Sequence, residues 1–214
     1  MRVVCFTCDE YSFIVPTFVK FFRAYWPQCP WPLEVVTDTK PIAVDVPVFT
    51  MKSGKHFSNR LLTYMTTLAW NEEYLLVMLD DYIINSPVKH DLIMRAYDLM
   101  RSNPNIAMIR LYPKPGPSLP YADDPDIGEI QRSDLYVASL QAALWRTDVF
   151  RGILSPGENP WETEEAGSWR ARHMPKNLKF LATKEPAIDY FNYCSKGILD
   201  PNVTAWLKEH EQCV

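Results

Sequence analysis

The stretch YLLVMLDDYIINS, residues 74–86, constrains this chain more than any other. It opens on an uninterrupted apolar run of strand length, Tyr74–Leu79, which stops at two adjacent carboxylates, Asp80 and Asp81. A run without polar alternation suits a strand covered on both faces, as in a parallel sheet with helices on each side. Carboxylates at the C-terminal end of such a strand lie where open α/β sheets bind ligands. There they can hold a hard divalent cation against a phosphate. Position and spacing alone leave a simple turn cap equally open.

The flanking sequence supports the parallel sheet. Residues 2–7, RVVCFT, read as a first strand. The polar loop CDEYS follows, and Ser12 is the expected N-cap of a helix running to Tyr25, with Pro16 near its first turn. Ile14, Phe18, Phe21, Phe22 and Tyr25 recur at helical spacing and form one apolar face. Leu33–Thr37 reads as the second strand and ends at Asp38. This β-loop-α-β opening implies parallel pairing. A short strand is expected within 44–50. A helix capped by Ser58 or Asn59 follows, with Leu61, Leu62, Met65, Leu68 and Ala69 on one side. Arg60 sits in its first turn, where a cation opposes the helix dipole. That inconsistency hints that Arg60 serves an anion, ordinary surface charge being the other reading.

Beyond the acidic pair, a helix is expected from Pro87 to Ser102 and a strand over 105–111. Residues 113–134, rich in proline and carrying Asp123, Asp124 and Asp126, read as a long lid or binding loop. Residues 135–144 read as one or two short strands, and Thr147 as the cap of a short helix. Asn159, Pro160 and Glu162 stand where an N-cap, N1 and N3 would make a capping box. Strands over 178–183 and 187–191, then a helix after Asp200 with Val203 and Leu207 inward, complete the chain as one domain, 1–214.

Composition excludes several classes. Of 214 residues, 47% are apolar and 22% charged, enough for a sizeable core. The net charge is −4 and no basic run stands out, so the electrostatic footprint for nucleic acid is missing. A nucleic-acid acceptor held in a local groove stays open but is not favoured. No apolar run is long enough for a membrane span. The first residues enter strand-like sequence without a cleavable leader, which points to a cytoplasmic setting. Cys5 and Cys8 form a C-x-x-C with no second pair, poor support for metal or redox work. Neither G-x-G-x-x-G nor G-x-x-x-x-G-K-[ST] occurs, which removes support for dinucleotide and P-loop chemistry.

A second acidic centre lies in WETEE, with Glu162, Glu164 and Glu165 at the start of a helix. Acidic residues there stabilise the helix dipole in any case. With Glu162 in the capping box, Glu164 or Glu165 is free to face a cleft. Two acidic centres suit a division of labour, one holding a metal on a diphosphate leaving group and the other taking a proton from an attacking hydroxyl.

Four stretches, VVCFTCDEYS, NRLLTYMTTLAWNEEYLLVMLDDYII, YVASLQAALWRTDVF and ENPWETEEAGS, occur in an order that resembles GT-A-fold glycosyltransferases. In particular they resemble a group of small bacterial and phage-type sugar transferases. The resemblance implies a GT-A-like, Rossmann-like α/β fold with a mostly parallel sheet flanked by helices. It implies transfer of a sugar from a nucleoside-diphosphate sugar, expected to be a UDP-sugar, to a carbohydrate or other hydroxyl-bearing acceptor. Inversion and dependence on Mn²⁺ or Mg²⁺ are expected with it. By the same resemblance Thr7, Asp9 and Asp38 contact the nucleotide and Arg60 the donor. Asp81 is the metal ligand, supported by Asp80, which could instead touch the donor sugar. His173 is a further metal or phosphate ligand, and Glu164 the general base. The chain departs from the pattern at Leu79, where the D-x-D motif has its first acid, and at Thr163, where Phe is common. Two other readings follow: a non-catalytic nucleotide-sugar-binding subunit of the same fold, and a nucleotidyltransferase. The glycine-free loop TCDEYS weighs against the second.

Overall fold

A computed structural model describes residues 1–54 and 56–210. Four strands, β1 (Arg2–Phe6), β2 (Leu33–Thr37), β3 (Val48–Thr50) and β4 (Tyr74–Leu79), pair in parallel in the spatial order β3-β2-β1-β4. Helices α1 (Val15–Tyr25) and α2 (Phe57–Thr67) connect them. The chain continues through β5 (Tyr82–Ile84), α3 (His90–Ser102), β6 (Ile106–Arg110), β7 (Leu119–Pro120), β8 (Ile127–Ile130), β9 (Ala143–Arg146) and α4 (Thr147–Ile153). It ends in α5 (Pro160–His173), β10 (Lys179–Thr183), β11 (Tyr190–Asn192), the hairpin strands β12 (Cys194–Ser195) and β13 (Ile198–Leu199), and α6 (Pro201–His210). β9 inserts antiparallel between β4 and β6, which therefore share one direction. β10, β8 and β7 complete a nine-stranded, mostly parallel sheet.

The two-residue side-chain period of the strands divides the interior into two cores. Val3, Cys5, Val35, Leu76 and Met78 pack with Ile14, Phe18 and Phe21 of the α1 region and with Ile93 and Ala96 of α3. Val4, Phe6, Val36, Leu75 and Val77 pack on the other face with Leu61, Tyr64 and Met65 of α2, Phe150 of α4 and Ala171 of α5. This double coverage is why β4 has no polar alternation. Each fully buried large aliphatic or aromatic side chain contributes about 1.5–3 kcal/mol. β1 is followed in sequence by β2 on one side and flanked by β4 on the other. A topological switch point therefore opens at the C-terminal ends of β1 and β4.

Several local expectations give way to longer-range partners. Ser12 does not cap α1. It starts a 3₁₀ turn, Ser12–Ile14, and its hydroxyl donates back to the Asp9 carbonyl at 3.0 Å. Ser58 and Asn59 lie inside α2 and accept the N–H groups of Glu158 (3.0 Å) and Gly157 (2.9 Å), which ties α2 to the loop before α5. Thr147 is the first residue of α4 rather than its cap. Residues 113–134 are not one unbroken loop. They carry β7 and β8 along the sheet edge, and two of their acids hold structure: Asp124 and Asp126 pair with Arg95, and Asp124 Oδ1 accepts the N–H of Asp126 and Ile127, each at 2.9 Å. Within 135–144 the only strand residues belong to β9, and residues 135–142 form an irregular segment. The capping box at α5 is present as expected: Asn159 Oδ1 accepts the Glu162 N–H (3.0 Å), and Glu162 Oε2 accepts the Asn159 N–H (2.8 Å).

Candidate functional site

Phe6 and Leu79 are partners in the β1/β4 register, so the residues after them, Thr7 and Asp80, leave the sheet side by side. The Thr7 hydroxyl donates to Asp80 Oδ2, and the Asp80 N–H reaches the Phe6 carbonyl at 3.3 Å. Asp80 is only 6% exposed. Burial pushes its carboxyl up to about 7, against the Thr7 hydrogen bond and the positive charge of Arg60. Burial and then the charge of Asp80 push the carboxyl of Asp81 up to about 8. The Asp81 carbonyl accepts the N–H of Ile83 (3.1 Å) and Tyr193 (2.8 Å), which fixes the backbone. Its half-buried carboxylate makes no hydrogen bond to another side chain among the described residues.

The ends of β1 and β2 meet beside this pair. Asp38, just past β2, pairs through Oδ1 with Arg60 and accepts the Asp9 N–H on Oδ2 at 3.3 Å. Arg60 is 4% exposed, and its Nε has no hydrogen-bond partner among the described residues. The anion that its unfavourable helix position pointed to is thus, within the protein itself, Asp38. Asp9 accepts the N–H groups of Thr39 (2.9 Å) and Lys40 (2.8 Å) and the Thr39 hydroxyl. Desolvation works against these hydrogen bonds, which nonetheless hold the Asp9 carboxyl down at about 2. Asp9 therefore ties the loop after β1 to the loop after β2, with both oxygens engaged.

Glu164 lies in the first turns of α5. Its Oε1 accepts the Leu140 N–H at 2.8 Å and the Ser139 hydroxyl at 3.0 Å. The Leu140 carbonyl in turn accepts the hydroxyl of Tyr82, the residue after Asp81, at 3.0 Å. Leu140 thereby links the two acidic centres. Beneath them the rings of Tyr82, Tyr190 and Tyr112 stack, with successive centroids 4.3 Å apart. Arg110, wholly buried, holds the carbonyls of Pro115, Tyr136 (2.5 Å) and Val137 (3.4 Å), which shapes the segment that carries Ser139 and Leu140. Burial draws the Arg110 guanidinium down to about 10, the charge of Glu164 opposing. Tyr82, Arg110, Ser139, Leu140 and Tyr190 were not among the expected site residues. A lone Arg in the otherwise apolar run IAMIR was a visible signal; the hydrogen bonds of Ser139 and Leu140 had none.

The structure brings Thr7, Asp9, Asp38, Arg60, Asp80 and Asp81 together at one sheet edge and links Glu164 to them through Leu140. It does not bring in His173. That ring lies exposed in the last turn of α5, tilted at 36° against Trp169 with centroids 4.2 Å apart and its Nδ1 at 2.8 Å from the Trp169 carbonyl. It is nine residues, or about 13 Å of helix, from Glu164. Among the described residues no three His, Cys, Asp or Glu side chains group as metal ligands. A buried carboxylate, Asp80, beside a half-buried one with no side-chain partner, Asp81, still fits a Mg²⁺-type ion, which takes one or two carboxylates and completes its shell with substrate phosphates and water. Cys5 and Cys8 carry free thiols, Cys5 fully buried.

The sheet order and the acidic crevice define a GT-A-like α/β scaffold. No family model matches the chain, and no curated protein matches its sequence. Solved structures share the fold. TarS 1–349 of S. aureus in complex with UDP-GlcNAc superposes with a TM-score of 0.59 at 14% identity, over 91% of this chain and 59% of that one. The same protein with UDP gives 0.55 at 14% identity, over 88% and 59%. A protein described as a nucleotide-diphospho-sugar transferase from Desulfovibrio desulfuricans G20 gives 0.53 at 10% identity, over 99% and 96%. The chain spans less than two thirds of the TarS fragment. These likenesses, at 10–14% identity, show the shared fold. No helix among the described residues is long and apolar enough to cross a membrane.

Proposed function

We propose that this chain is a glycosyltransferase that moves a sugar from a nucleoside-diphosphate sugar, a UDP-sugar, to an acceptor hydroxyl with inversion at the anomeric carbon. The observation that carries the reading is the pairing of two acidic centres across one residue. Asp80 and Asp81 follow β4, and Leu140 accepts from Tyr82 through its carbonyl and donates to Glu164 through its N–H. UDP-GlcNAc and UDP are bound by TarS, which shares the fold, and this supports a UDP-sugar donor.

Asp81, with its unengaged carboxylate, is the residue to hold Mn²⁺ or Mg²⁺, and Asp80, braced by Thr7, supports it. When bound, such an ion neutralises charge building on the departing diphosphate. Asp38 and Arg60 form the nucleotide side, where Asp9 sets the loop geometry. Glu164 is held through Oε1 by Ser139 and Leu140, which leaves Oε2 to accept the proton of the acceptor hydroxyl. General-base assistance of this kind is worth about 10²–10⁴ in rate. The hydroxyl attacks from the face opposite the leaving UDP.

The test is UDP release from a panel of UDP-sugars with Mn²⁺ and hydroxyl acceptors, in the wild type and in Asp81→Ala and Glu164→Ala. Wild-type turnover in either variant sinks that role. Release of pyrophosphate from UTP and a sugar phosphate would identify a nucleotidyltransferase instead. UDP binding with no release from any donor would identify a non-catalytic subunit.

A further inference from the structure

One row of α5 takes no part in this mechanism. Trp161, Glu165, Trp169 and His173 recur every four residues, so they form an exposed row that winds about 40° per step around the helix. Trp161 is 52% and Trp169 61% exposed. Trp161 precedes Glu164 by three residues, so the stripe begins beside the proposed base. The irregular segment 134–140 runs antiparallel along the same helix. Arg172 donates to the Asp134 carbonyl (2.8 Å), Ser168 accepts from the Ala138 N–H (3.1 Å) and donates to its carbonyl (2.9 Å), and Glu164 accepts from Leu140. That segment exposes two further large side chains, Leu135 and Tyr136, and holds Tyr136 at φ 55°, a left-handed conformation costly for an aromatic residue.

Two solvent-facing indoles in one row leave much apolar area in water. Their spacing argues for what covers them. A protein partner would favour a contiguous apolar patch, but here a carboxylate and an imidazole alternate with the indoles. Flat aromatic faces interleaved with hydrogen-bonding groups complement sugar rings, which have apolar C–H faces and a rim of hydroxyls. Glu165 in the row opposes a nucleic-acid backbone. From Trp161 to Trp169 the row extends about 12 Å, more than one sugar ring. We propose that this stripe is an acceptor track and that the acceptor is a carbohydrate chain. Its terminal hydroxyl reaches Glu164 while the preceding sugar units stack on Trp161 and Trp169. The inference rests on the glycosyltransferase reading and deepens it by assigning the acceptor class.

The test is binding of the intact chain to immobilised oligosaccharides of graded length. The wild type is compared with the double variants W161A/W169A and W161F/W169F. The expected result is tighter binding of longer chains by the wild type, a loss of about tenfold or more in the alanine variant, and retention of most affinity in the phenylalanine variant. Equal binding by the alanine variant, or no gain with length in the wild type, overturns the track. Thermal shift by UDP-sugars should be alike in all three chains, which shows that the variants are folded. If UDP-sugars turn over and the indoles are dispensable, the track fails and the enzyme reading stands. If oligosaccharides bind through the indoles and no UDP-sugar turns over, the enzyme reading fails and the track is upheld as a carbohydrate surface.

Discussion

Replacing Asp80 with Asn should stabilise the metal-free chain near neutral pH while removing its activity. An unfolded aspartate ionises near 3.8, whereas burial keeps the folded Asp80 protonated up to about 7. Between these values the folded state binds more protons than the unfolded one, so stability falls as pH rises and levels off above 7. From pH 5 to 7 the two-unit span amounts to about 2.7 kcal/mol. In a chain of this length that is about 5–11 °C of melting temperature. Asn keeps an oxygen for the Thr7 hydroxyl and has no charge to bury. Removing the Asp80 charge also relieves Asp81, whose own upward push comes partly from it. Burial still holds the Asp81 carboxyl up in D80N, so melting curves in EDTA from pH 5 to 8 should slope downward for both chains, less steeply for D80N. The variant should be the more stable chain at pH 8. Added Mn²⁺ should raise the wild-type midpoint at pH 8 by mass action and the D80N midpoint less. Parallel curves for the two chains, or a D80N less stable than wild type at pH 8, would refute the reasoning.

Three further outcomes are expected. Glu164→Gln should lower turnover by about 10²–10⁴ with UDP affinity unchanged in a steady-state kinetic assay. Arg60→Met strands Asp38, whose side chain is only 16% exposed, and should cost about 3–5 kcal/mol in urea unfolding; the double variant R60M/D38N should recover part of it. Gly128→Ala places a Cβ 2.7 Å from the Leu119 carbonyl and from the Pro117 ring, so the β7–β8 edge must shift, at a cost of about 1–3 kcal/mol visible in the thermal midpoint.

The chain's own order of residues determined the elements whose stabilisation is local or comes from uniform burial. The apolar run of β4 reads directly because both its faces are covered, and the capping box at α5 because its partners lie three residues apart. The β-α-β opening implies the parallel half of the sheet, and the acids that end β4 mark its ligand edge. Tertiary structure alone decided what depends on partners distant in sequence. β9 enters antiparallel between β4 and β6, a pairing that no local pattern encodes. Ser58 and Asn59, plausible as caps, bind a loop a hundred residues away. Arg60 finds its anion in Asp38, and Tyr82 meets Glu164 through Leu140, 58 residues from the tyrosine. Side-chain type and local spacing state which groups need a partner; when that partner is remote along the chain, only the packed fold identifies it.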